Sequence, residues 1–256
     1  MSTVNNFITN NPTKLLENRL LDLLSKSKEL KFLVGFFYFS GLRELYKGLK
    51  DNPSVILKVL VGLNVDKTLY GLIEHGSSER GLSDDERLYK YFASIKNSIN
   101  TEQFDKREFY DQVRFFIELI KNNRLIIRKT YEPNHAKLYI FKLEQTQVAR
   151  DALFITGSSN LTSSGLTHQH EFNVEISDYG INEAEEYFDK LWDTAIPVTE
   201  DNVTKKRLIE LLEKETLIKE ITPYEAYALV LKTYLETFRG KEIGERLTDV
   251  LQENGY

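Results

Sequence analysis

Two apolar runs most narrow the folds open to this chain: FLVGFFYFS (32–40), which is continuous, and VILKVLVGL (55–63), broken only by Lys58. Each has strand length, and the first lacks the alternation of a half-solvated strand, which predicts a strand buried on both faces. Between them, LRELYKGLK (42–50) spaces its leucines at helical intervals until Asn52-Pro53 ends it. Strand, helix, strand within roughly thirty residues is a βαβ unit, with a parallel strand pair and a right-handed crossover.

The rest of the chain extends this α/β pattern. An amphipathic helix is predicted over 13–27, a helix with an acidic first turn over 84–99, and a strongly amphipathic one over 108–123. Residues 64–83 carry Gly71, Gly76 and Gly81, which predict a mobile surface loop with a short helix at 66–74. Four more apolar stretches follow: RLIIRKT (124–130), LYIF (138–141), ALFIT (152–156) and EFNVEIS (171–177). With the first two they make about six strands. NEAEEYFDKLWDT (182–194) puts Tyr187, Phe188, Leu191 and Trp192 at core spacing, and Pro197 follows. Beyond it lie predicted helices at 201–216, 223–238 (opened by Thr222-Pro223) and 241–252. The composition shift divides the chain into an α/β domain at 1–197 and a helical appendage at 198–256.

Composition restricts function chiefly by exclusion. The 256 residues include no cysteine, so there is no disulfide framework, thiolate metal site or cysteine nucleophile. There is no apolar run long enough to span a membrane. MSTVNNFITNNPTK has no secretory pattern, so a cytoplasmic location is expected. The net charge of −5 means that any grip on nucleic acid is local or comes from another chain. His168 and His170 stand two apart, and read as a polar loop pair rather than as metal ligands.

The chemistry-bearing residues cluster in the middle. His135-Ala136-Lys137 opens one apolar run, and Gly157-Ser158-Ser159-Asn160 closes the next; Glu171 stands 11 residues after Asn160. An imidazole, an ammonium and an amide thus come to the ends of neighbouring strands, with a carboxylate nearby. A phosphodiester resists attack because its anionic oxygens repel nucleophiles. Lys137 can neutralise such an oxygen, and Asn160 and Ser158 can donate hydrogen bonds to it. Taken singly, each residue is more often a strand-edge or turn residue. Together and in order, they point to one reaction.

HxK, then GSxN, then Glu resembles the half-site signature of the phospholipase D superfamily, carried by His135, Lys137, Gly157, Ser158, Asn160 and Glu171. HAKLYIF and TGSSNLTSSGL are similar to phospholipase D-like domains at the N-terminus of helicases and in some restriction enzymes, over residues 31–192. The resemblance implies a mixed, largely parallel sheet flanked by helices. It implies that one His attacks phosphorus while a second protonates the leaving oxygen. The chain carries one HxK, so two copies of His135 would meet across a homodimer axis. Glu171 is the implied partner of His135 Nδ1. Lys137 from both copies would supply the cation, so no metal and no cofactor is implied.

One departure stands out: the family places Asp where this chain has Lys142, with Glu144 or Asp151 available as a replacement. Residues 143–151 predict an extended hairpin loop. The implied function is a nuclease acting on DNA. Residues 221–238 look like the connector that precedes a helicase motor, which makes a helicase or ATPase domain a candidate partner, in the same chain or another. A non-catalytic DNA-binding or dimerisation module is the alternative. A lipid-acting phospholipase is disfavoured by the lack of a basic surface helix and of a second HxK. Tyr38, Phe39, Tyr70 and Tyr131 are candidates for stacking on bases, with core packing as the competing role.

Overall fold

The computed structural model describes residues 7–37, 39–68, 71–75, 81–99, 107–144 and 151–216, together with Tyr227 and Leu231. Its contacts divide the chain into Met1–Thr216 and Leu217–Tyr256. Apart from Tyr227 and Leu231, the predicted helices at 223–238 and 241–252 lie outside the described residues.

The first unit begins with β1 (Phe7–Ile8), α1 (Leu16–Leu24), β2 (Ser27–Val34), α2 (Phe39–Asp51) and β3 (Ile56–Val61). Next come β4 (Asn64–Thr68), β5 (Gly71–His75), α3 (Asp84–Ile99), α4 (Arg107–Lys121), β6 (Leu125–Lys129), β7 (Leu138–Leu143) and β8 (Ala152–Gly157). It ends with α5 (Ser163–Thr167), β9 (Asn173–Ile176), α6 (Ile181–Thr194), β10 (Ile196–Pro197) and α7 (Asn202–Glu215).

Among the described residues, eight strands form one sheet in the order β1-β9-β8-β7-β2-β3-β6-β10. The predicted βαβ unit is present, with β2 and β3 paired in parallel and β6 adding a further parallel neighbour. The sheet is mixed, as expected, but its parallel part is confined to these three strands. The five other pairings are antiparallel. Of these, β7–β8 joins consecutive strands and can only return antiparallel, whereas β1–β9, β2–β7 and β6–β10 pair segments far apart in the chain.

Three local expectations change. β2 runs Ser27–Val34, starting five residues before the predicted strand at 32–40 and ending six residues short of its far end, with Phe39 and Ser40 already in α2. Lys31 lies inside it at 4% exposure. Its ammonium meets both carboxylate oxygens of Asp189 at 2.8 Å, so a charge in the sequence does not mark the strand's edge. The helix expected at 66–74 is instead the antiparallel β4–β5 hairpin, registered from Asn64↔His75 to Thr68↔Gly71. Glycine at 71 disfavours a helix, and pairing across the hairpin satisfies the backbone groups. The strand count rises because β1 and β10 have two residues each, too few for any periodic signal.

One side of the sheet buries Leu33, Leu60, Leu138, Ile140 and Phe154 against Phe188 and Trp192 of α6. Fully burying side chains of this kind stabilises the fold by roughly 1.5–3 kcal/mol each. α7, placed by sequence in the appendage, belongs to the first unit. Its Leu208 and Leu212 are buried and border an apolar cavity with Ile95, Phe116 and Ile120. Asp201 caps the helix by accepting from Val203 N and Thr204 N. No helix among the described residues is long and apolar enough to cross a membrane.

Candidate active site

Strand register brings the motif residues to one end of the central strands. Leu138 at the start of β7 pairs with Leu33 near the end of β2 and with Thr156 near the end of β8. Lys137, Gly35 and Gly157 therefore stand at the same end of three neighbouring strands.

His135 lies in the segment between β6 and β7, with its side chain exposed. The segment is anchored on either side of it. Asn134 N donates to Gly62 O at 3.2 Å, and Asn134 Oδ1 accepts from Ala136 N at 2.8 Å. Asn134 Nδ2 donates to Tyr187 Oη at 3.1 Å. A Cβ on Gly62 would stand 1.8 Å from Asn134 O, so only glycine admits this approach.

Lys137 is buried at 5% exposure, and its carbonyl accepts from Thr156 Oγ1 at 2.8 Å. Its ammonium folds back onto His135, 2.6 Å from Nδ1 and 2.8 Å from the carbonyl oxygen. Desolvation first, and the Lys137 charge second, hold the imidazole below its ordinary pKa. Asn160 approaches from the other side, its Oδ1 accepting from Phe36 N at 3.4 Å. The point where a Gly35 side chain would begin lies 3.1 Å from Asn160 Oδ1 and 3.7 Å from Lys137 Nζ. His135, Lys137 and Asn160 therefore converge, and Gly35 leaves the room for it.

Ser158 and Glu171 form a second group. Ser158 Oγ donates to Glu171 Oε2 and accepts from Phe172 N at 3.0 Å. The expected place of Glu171 is on His135 Nδ1. Within the chain that nitrogen faces Lys137, and the carboxylate is taken up by Ser158, which stands opposite Phe172 just beyond the Gly157↔Asn173 pair. The hydroxyl of Ser158, expected beside the Asn160 amide, is thereby directed to the carboxylate. Glycine at 157 has a steric reason, since a Cβ there would stand 2.3 Å from Phe172 O.

Several supporting residues carried no sequence signal of their own. Asn173 is fully buried; its Oδ1 accepts from Ser159 N at 3.3 Å and its Nδ2 donates to Ser159 Oγ at 2.9 Å. Tyr139 Oη donates to Ser159 O at 2.7 Å. Together they hold the turn that presents Asn160. Gly35 inside the first long apolar run and Gly62 near the end of the second were the available hint.

Lys142 lies at the far end of β7, five residues or roughly 16 Å of strand from Lys137. It pairs with Glu185 of α6 at 3.0 Å, and Glu144 and Asp151, the candidates to stand in for the family's Asp, flank β7 and β8 at this same far end. Asp151 does line the same open cavity of about 540 Å³. His168 and His170 are exposed around the end of α5, and among the described residues no three His, Asp or Glu side chains are grouped to hold a metal. Phe39 has its backbone in α2, while Tyr38 and Tyr70 lie outside the described residues.

No curated protein matches the chain in sequence. Among solved structures it is similar to Nuc from Salmonella typhimurium, a phospholipase D family member, with TM-score 0.39 and 16% identity over 75% of this chain and 95% of that one. NucT from Helicobacter pylori aligns with TM-score 0.37 and 13% identity over 70% and 89%. Phosphatidylserine synthase from Haemophilus influenzae Rd KW20 aligns with TM-score 0.45 and 14% identity over 84% and 47%. A family model described as "Cardiolipin synthase, PLD-like domain" matches residues 21–192, a span that holds both motifs and most of the sheet. The chain belongs to this PLD-like family, within the phospholipase D superfamily of phosphodiester-acting enzymes.

Proposed function

We propose that this chain is a metal-independent nuclease that cleaves DNA through a phosphohistidine, each copy contributing one half-site of a homodimer. The observation that carries the reading is the convergence of His135, Lys137 and Asn160 at one end of the central strands, beside Gly35. One His135 nitrogen attacks phosphorus. An N–P bond forms, and the P–O bond to the leaving alkoxide breaks. His135 of the second copy protonates that oxygen, then takes a proton from water as the water attacks phosphorus and releases the first imidazole. Lys137 and Asn160 hold the non-bridging oxygens throughout. As phosphate oxygens draw the ammonium away, Nδ1 becomes available to a carboxylate. General acid–base assistance contributes about 10²–10⁴-fold, and the cationic clamp supplies more. The larger setting is a module of a helicase or of a restriction or defence protein in the cytoplasm, with an ATPase domain as partner.

The test incubates pure protein with plasmid and with short single strands in excess chelator. Cleavage by wild type but not by His135→Ala, from a dimeric gel-filtration peak, is the expected result. Equal cleavage by both proteins, or a strictly monomeric active species, defeats the composite site. One observation favours a second reading, a non-catalytic DNA-binding or dimerisation module: Glu171 is engaged by Ser158 instead of orienting His135. DNA binding without any cleavage would select it.

A further inference from the structure

Tyr131 stands four residues before His135, in the segment that leads from β6 to that imidazole. Four residues span at most about 14 Å, so the ring lies within a few nucleotides of any phosphate held there. Its surroundings are unlike those of a core aromatic. The residue is 44% exposed, yet one ring face is covered by the Arg87 guanidinium, 4.0 Å from the ring centroid. Arg87 is itself 2% exposed and donates to Leu82 O and Tyr131 O, which holds it beneath the ring. The backbone is pinned as well, for Thr130 Oγ1 donates to Glu132 O at 2.7 Å and Thr130 N to Val61 O at 3.0 Å. A held aromatic ring, backed by a fixed cation and 44% exposed, loses little freedom on receiving another flat π-system.

We propose that Tyr131 is the platform on which a base of single-stranded nucleic acid stacks, next to the phosphodiester gripped by His135 and Lys137. The inference rests on the nuclease reading above and narrows its substrate. A base inside a duplex is already stacked on both faces, so the platform requires a single or splayed strand. Stacking also supplies affinity that a chain of net charge −5 cannot draw from a broadly basic surface.

The experiment measures binding of a fluorescent oligothymidylate by anisotropy, with the full chain carrying His135→Ala so that nothing is cleaved. Adding Tyr131→Leu should weaken binding about tenfold, in the range of one lost base–aromatic stack. Tyr131→Phe and Tyr131→Trp should restore it. A strand of equal length bearing abasic sites should bind equally to the parent and to the protein carrying Tyr131→Leu. Tyr179→Leu, which alters an aromatic 72% exposed beyond the other end of β9, should behave as the parent. Unchanged binding in the Tyr131→Leu protein, or an equal loss on the abasic strand, overturns stacking. If the parent binds neither strand, the nucleic-acid function itself falls, and stacking with it. If wild type cleaves single strands with a KM that Tyr131→Leu leaves untouched, stacking alone is overturned.

Discussion

The ammonium of Lys137 lies 2.6 Å from Nδ1 of His135 and 2.8 Å from that residue's own carbonyl oxygen. The cation that would neutralise a phosphate thus rests on the group that would attack it. The contact favours the neutral imidazole, because protonating the ring would set two positive charges side by side.

This fixes the direction of a pH dependence. The imidazole titrates below its ordinary value of about 6.5, through desolvation first and Lys137 second. Attack needs the neutral ring, so the acid limb of kcat/KM should fall at a pH lower than an ordinary histidine gives. Lys137→Met removes the second cause and should move the His135 midpoint upward, part of the way to the ordinary value. Proton NMR of the imidazole Hε1 in both proteins checks it. An unmoved or lower midpoint in the variant contradicts the contact.

Lys142 replaces the family's Asp but stands far along β7, paired with Glu185. Lys142→Ala should leave kcat within about twofold and stability within about 1 kcal/mol, as for other partly exposed ion pairs. A loss of a hundredfold in cleavage would mean that the departure reaches the chemistry.

Gly62 admits Asn134 O so closely that a methyl group would stand 1.8 Å from it. Gly62→Ala should push away the segment carrying His135, costing about 1–3 kcal/mol by overpacking and lowering kcat more than it raises KM. Urea unfolding together with steady-state kinetics separates the two effects. Wild-type kcat in a folded variant would show that the segment's position is immaterial.

Asn173 bonds both the amide and the hydroxyl of Ser159, and the two residues are fully buried. Replacing it with Ala deprives those groups of this partner where water does not reach, at a cost of about 1–3 kcal/mol. Thermal unfolding should show the loss. Cleavage should fall as well, because the same turn presents Asn160. Full activity beside a lowered Tm would separate the turn from the chemistry.

The legibility of this chain follows distance along the sequence. The βαβ unit can be read from 32–63 because two apolar runs flank a segment of helical spacing, although β2 uses only Phe32–Val34 of the first run. His135, Lys137 and Asn160 can be read because a strand end carries short motifs intact. Lys31, by contrast, reads as a boundary and is a buried member of β2, since its partner Asp189 lies 158 residues away. β1 and β10 are invisible because two residues have no period. The hairpin at 64–75 reads as partly helical, because glycines mark a break without saying which structure follows.

The amino-acid order alone determined which functional groups exist and that strands would end beside them, for periodicity and motif are local properties. Tertiary structure decided the pairing: Nδ1 of His135 toward Lys137, Glu171 toward Ser158, Lys142 toward Glu185. Those choices depend on strand register and on glycines that let backbones touch, and both are settled only when remote segments compete for the same space.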